Sequence, residues 1–144
     1  MKRHLTIMAA VAFLAACGSS VDESPWRSTD ATPATHWITG QETALGTFTG
    51  ASGHAATGEV AVFRTTAGYA VSLGSDFSID NATGAMVGLG DATGATVILA
   101  PLASPTGAQV YGVPASVDIG DFRHVYIWDD ERGIPLGVAR LDLL

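Results

Sequence analysis

From about residue 36 onward the chain alternates short apolar runs with glycine-containing breaks, and no window of ten or more residues sustains a 3.6-residue period. That pattern predicts strands. Runs rich in Val, Ile, Thr and aromatic residues fall at Thr47 to Thr49, Glu59 to Thr65, Tyr69 to Leu73, Ala85 to Leu89, Thr96 to Ala100, Gln109 to Val113, Phe122 to Trp128 and Leu136 to Leu141. Their spacing suits an all-β fold, an antiparallel β-sandwich or small barrel-like sandwich formed by a single domain. Two connections read as hairpins: Ala67-Gly68, with Gly68 free to take a positive φ, and the longer turn Asp129 to Gly133. The run Phe122 to Trp128 carries apolar groups on both phases apart from Arg123, which predicts a largely buried central strand. The ring nitrogen of His124 then needs a partner. Five Ala/Thr-Gly pairs, from Thr57-Gly58 to Thr106-Gly107, stand at uneven intervals and read as turn punctuation, not as a repeat.

The start of the chain follows a different pattern. Lys2, Arg3 and His4 precede an unbroken apolar run from Leu5 to Ala16, the arrangement of a secretory signal peptide. Twelve residues at helical rise reach about 18 Å. A bilayer core needs roughly 20 residues, so this run is too short to span one. Residues 1–16 are therefore expected to be removed. Leu14-Ala15-Ala16-Cys17 resembles the lipobox of bacterial lipoproteins, in which the cysteine sulfur receives a diacylglycerol. Cys17 is accordingly the expected lipidation site. Residues 17–35, spread with Ser, Thr, Asp and Pro, read as a lipidated flexible tether. The β domain then occupies residues 36–144, and Trp26 and Trp37 are candidates to dock on its edge. In Gram-negative lipoproteins an aspartate after the cysteine favours the inner membrane; Gly18 stands there, which points to the periplasmic side of the outer membrane.

Charge and cysteine count narrow the chemistry. The formal charge of −7 falls to −9 once Lys2 and Arg3 are lost, and no lysine remains. A basic nucleic-acid footprint is excluded, and a membrane partner must be held by acyl chains instead of a basic patch. The single cysteine rules out intramolecular disulfides and four-cysteine zinc sites. Lipidation would consume it, leaving the domain without a thiol for nucleophilic or redox chemistry. His36, His54 and His124 are the mature histidines, but none shares a metal-ligand spacing with another, and no metal site or cofactor is assigned. The run Asp129-Asp130-Glu131 lacks the alternate spacing of a calcium loop and reads as a solvated hairpin turn. Ser52-Gly53-His54 places a hydroxyl near an imidazole without a nucleophile elbow or a recognisable orienting acid. The chain is read as a non-enzyme.

Several segments match one pattern in order: Gly46-Thr47-Phe48, His54 followed by Gly58-Glu59-Val60, Asp76-Phe77, Gly107 to Pro114, Ile127-Trp128, and Leu136 to Leu141. Over about Thr39 to Leu144 the chain resembles the DM-thirteen domain family. That resemblance implies an all-β domain, found in bacterial lipoproteins and beside DOMON domains, with a proposed role in electron transfer. The family's redox role rests on a cysteine directly after the tryptophan, and here that position is Asp129. A carboxylate cannot cycle through oxidised sulfur states, so thiol-based electron transfer has no support from these residues. His54, Tyr111, Trp128 and Asp129 are the candidate ligand-binding residues. Each of the first three also has a structural reading: His54 as a loop histidine, Tyr111 as a strand residue, Trp128 as core packing. As a hairpin-edge residue, Asp129 is expected to tolerate replacement by cysteine. The functional expectation is a cell-envelope lipoprotein acting as a non-catalytic binding or accessory module for an envelope protein or a small molecule. The alternative is electron transfer with a bound cofactor or partner.

Overall fold

The computed structural model describes His36 and residues 38–144, which belong to one compact unit. The signal segment, Cys17, the tether, Trp26 and Trp37 lie outside the described residues. Eleven strands follow in order: β1 Gln41–Gly50, β2 Ala56–Thr57, β3 Glu59–Thr65, β4 Gly68–Leu73, β5 Ser78–Ile79, β6 Ala85–Asp91, β7 Gly94–Pro101, β8 Gln109–Gly112, β9 His124–Asp129, β10 Ile134–Arg140 and β11 Asp142–Leu143. A single 3-10 turn, Ile119–Asp121, precedes β9 and is capped by the Asp118 side chain. All eight anticipated strands are present, with β3 at its expected bounds. The small ladders β2, β5 and β11 and the first half of β1 were not legible in the pattern.

The main sheet runs β7-β6-β9-β10-β1-β3-β4-β8, with β11 also on β1, and every pairing is antiparallel. β2 and β5 form a separate pair. β1 turns the corner between layers: Gln41 to Thr47 pair with β3, whereas Phe48 to Gly50 pair with β10. A register shift between Glu42 and Ala44 bends the strand on the way. The sheet thus folds on itself as an all-β, barrel-like sandwich. Val60, Val62, Val71 and Leu73 from β3 and β4 meet Val87, Leu89, Val125 and Ile127 from β6 and β9 in one core. Each such side chain contributes about 1.5–3 kcal/mol by leaving water.

β9 is central, flanked by β6 and β10. Val125 and Ile127 enter the core, while His124, Tyr126 and Trp128 form an aromatic row on the opposite face. The β6–β7 hairpin covers that row. Register shifts at Val87/Gly88 and Leu89/Gly90 coil the hairpin back, the Tyr126 hydroxyl donates to the Asp91 carbonyl, and Gly94 lies against the Trp128 indole. At the hairpin tip the Thr93 hydroxyl and N–H both donate to the Asp91 carboxylate, holding it below its ordinary pKa.

The 67–68 hairpin turns on Thr66-Ala67, with Gly68 already in β4 at φ 123°. The second hairpin runs from Asp129 to Ile134, where the sequence placed it.

Candidate functional site

The four candidate residues do not converge. His54 sits in the loop after β1, where its Nδ1 lies 3.2 Å from an Asp80 carboxylate oxygen and 3.3 Å from the Asp80 carbonyl. Asp129 ends β9. Although 75 positions apart, His54 and Asp129 line one cleft of about 390 Å³ together with Asn81, Thr83, Arg132 and Leu136. Trp128 faces the other side of β9, because adjacent strand residues point to opposite faces. Its ring packs edge-on to Tyr126 at 5.9 Å, under the β6–β7 hairpin.

Tyr111 is buried in the core on β8. Its hydroxyl donates to Gln109 Oε1 at 2.6 Å and accepts from the Ala103 N–H at 2.9 Å. The Gln109 amide in turn donates to the carbonyls of Ser104 and Gly107. This network fastens the connection between β7 and β8, and it assigns Tyr111 the structural reading.

Burial raises the pKa of Tyr111, and burial followed by the Asp91 charge raises that of Tyr126. A phenol whose folded pKa is raised stabilises the fold fully below its unfolded value of about 10. That stability is lost as pH rises through the folded value. In an alkaline titration followed by phenolate absorbance, these two tyrosines should therefore ionise late, together with unfolding. Phenolate signal from all three tyrosines within the ordinary range, with no loss of structure, would contradict this.

The Asp129 carboxylate is not a solvated turn charge. One oxygen accepts the Arg132 N–H at 2.9 Å, the other lies 3.5 Å from the Arg132 guanidinium, and the side chain is only 14% exposed. The Asp129 carbonyl accepts the Gly133 N–H at 2.8 Å. Asp129 therefore pins the hairpin that forms one wall of the cleft. This bears on the expected replacement by cysteine: sulfur accepts weakly and leaves the Arg132 N–H unpaired. We expect Asp129→Cys to cost about 1–2 kcal/mol in chemical denaturation and Asp129→Asn, which keeps an acceptor oxygen, much less. Equal stability of the two variants would refute the pinning role.

The three described histidines occupy separate places. His36, the first residue assigned from the sequence to the β domain, is docked on the sheet. Its Nδ1 is 2.8 Å from the Ser72 hydroxyl, its Nε2 is 3.1 Å from Glu59, and its ring packs on Phe63 at 5.6 Å. This serine–imidazole–carboxylate chain has the members of a hydrolytic triad. Ser72 is fully buried, however, so its hydroxyl is out of reach of a substrate. The chain satisfies a buried hydroxyl and fastens the start of the domain. His124 stacks on Tyr126, and its buried Nδ1 has no partner among the described residues, so the partner expected for it is not supplied there. Among the described residues no cluster of three or more His, Cys, Asp or Glu side chains is positioned to hold a metal ion.

Three of the segments that carried the family resemblance meet at one joint. Gly58 lies against the Phe77 backbone, the Glu59 N–H donates to Asp76 at 3.0 Å, and Phe48 packs edge-on to Phe77 at 5.3 Å. Comparison with known protein families, with curated proteins and with solved structures finds no match to this chain.

Proposed function

We propose that this chain is a lipid-anchored cell-envelope protein whose β domain is a non-catalytic binding or accessory module similar to the DM-thirteen family. Its recognition surface is the polar cleft between the His54 loop and the 129–133 hairpin. The observation that carries this reading is the cleft itself: two positions singled out by sequence, far apart along the chain, line one concavity. Imidazole, carboxylate, guanidinium and hydroxyl groups there offer hydrogen bonds of both senses without a paired nucleophile and base.

Anchoring rests on Cys17. More than one acyl chain on a single residue meets the two-signal requirement for stable attachment, even for a domain of this acidity. Mass spectrometry of the chain extracted from membranes should show loss of residues 1–16 and a lipid mass on Cys17; an unmodified, soluble chain would overturn the anchor. The same preparation should be colourless and redox-silent. A reducible chromophore that copurifies with it would overturn the accessory reading in favour of electron transfer with a bound cofactor.

A further inference from the structure

A second concavity, of different character, lies beside the 3-10 turn that precedes β9. A cavity of about 190 Å³ opens between β1, β3 and the 3-10 turn. Its floor is core: Ala44, Val62 and Leu141 are 3%, 1% and 3% exposed. Ile119, Phe122 and Leu143 add apolar walls. We propose that this cavity binds a small neutral molecule built on one aromatic ring and carrying a hydrogen-bond donor, with phenol as the simplest member.

Size sets the ring. An enclosed apolar cavity of about 150 Å³ takes up benzene; this concavity is open to solvent beside the exposed Leu143, and its volume of about 190 Å³ leaves room for a single ring and a small substituent. A long acyl chain does not fit. Phe122 and Tyr69 give the walls aromatic faces for offset or edge contacts. An apolar guest removes the floor and walls from water.

The rim sets the polarity. Asp118 is exposed at the mouth, and its Oδ1 accepts the Gly120 N–H at 2.9 Å, which leaves the second carboxylate oxygen without a partner among the described residues. Thr43 already donates its hydroxyl hydrogen to the Val62 carbonyl at 3.1 Å. Asp118 thus offers an acceptor to a guest donor and repels a guest anion.

The test uses the full chain carrying Cys17→Ser, so that no acyl chain competes for an apolar probe. Phenol is titrated while the methyl resonances of Ala44, Val62, Ile119, Leu141 and Leu143 are followed, and benzoate serves as the anion of similar size. Phenol should shift these methyls saturably with a Kd of about 1 mM or lower, and benzoate should bind at least about tenfold more weakly. Ala44→Leu fills the floor and should abolish the shifts. That variant is at risk of misfolding, so Asp118→Asn provides a second arm: it keeps the acceptor for Gly120 and removes the charge. It should bring benzoate to within about twofold of phenol, since the repulsion of the anion and the acceptor for the phenol hydroxyl are both lost. Non-saturating shifts, shifts spread across the domain, or unchanged discrimination in Asp118→Asn would overturn the proposal.

Discussion

Replacing Phe77 by alanine is expected to remove about 3–5 kcal/mol of folding stability, out of a total of about 5–15 kcal/mol for a domain of this kind. Phe77 is 1% exposed and belongs to no regular strand, yet it fills the seam where β1 changes partners. Its ring meets Phe48 edge-on at 5.3 Å, a geometry that favours aromatic pairs beyond simple burial. Its main chain is fixed independently: the Phe77 N–H donates to the Gly74 carbonyl at 3.0 Å, and the Phe77 carbonyl accepts the Gly107 N–H at 2.9 Å. Because the backbone is held from both sides, the loop cannot collapse into the space that the ring leaves, and the cavity penalty adds to the lost transfer energy. Thermal unfolding should show a midpoint lowered by on the order of 20 °C. A loss below about 1 kcal/mol would mean that the seam repacks freely.

How much of this architecture is visible in the sequence depends on the range over which each residue's reason operates. β3 and β4 are legible because hydrophobic runs and the Gly68 turn are local properties. β2, β5 and β11 are two-residue ladders whose pairing is dictated by distant partners, so no local run announces them. The central position of β9 follows from its two apolar phases. What covers its outer face does not, because the coiling of the β6–β7 hairpin depends on register shifts rather than composition.

The candidate site divides in the same way. Period-two alternation alone separates Trp128 from Asp129, since neighbours on one strand cannot share a face. His54 and Asp129 share a cleft only through tertiary folding. Asn81, Thr83 and Arg132, which also line it, carry no local motif that marks them as site residues. The available signal was the turn composition around Asn81, which adopts φ 43°. The docking of His36 is not legible either, because its partners, Glu59 and Ser72, lie 23 and 36 positions away. No spacing rule connects them.

Gly58→Ala is the second change expected to be severe, at about 3–5 kcal/mol, and a paired control shows why. Gly58 has φ 108°, a conformation that costs a side-chain-bearing residue about 1–3 kcal/mol. A methyl group there would also stand 2.4 Å from Phe77 Cα and 2.7 Å from its nitrogen. These are main-chain atoms, so no rotamer change relieves the contact, and forced overpacking adds about 1–3 kcal/mol. Two hydrogen bonds are at risk as well, since the Gly58 carbonyl accepts the Phe48 N–H at 2.8 Å and Asp76 holds the Glu59 N–H at 3.0 Å. Gly68 offers the comparison, because its φ of 123° is as unusual but nothing lies within 4 Å of the added carbon. Gly68→Ala should therefore lose only the conformational part, about 1–3 kcal/mol. Chemical denaturation of the two variants measures the close approach as their difference. If Gly58→Ala is no worse than Gly68→Ala, the seam between β1 and the Phe77 loop is not packed tightly, and the stability assigned to Phe77 would have to come from elsewhere in the core.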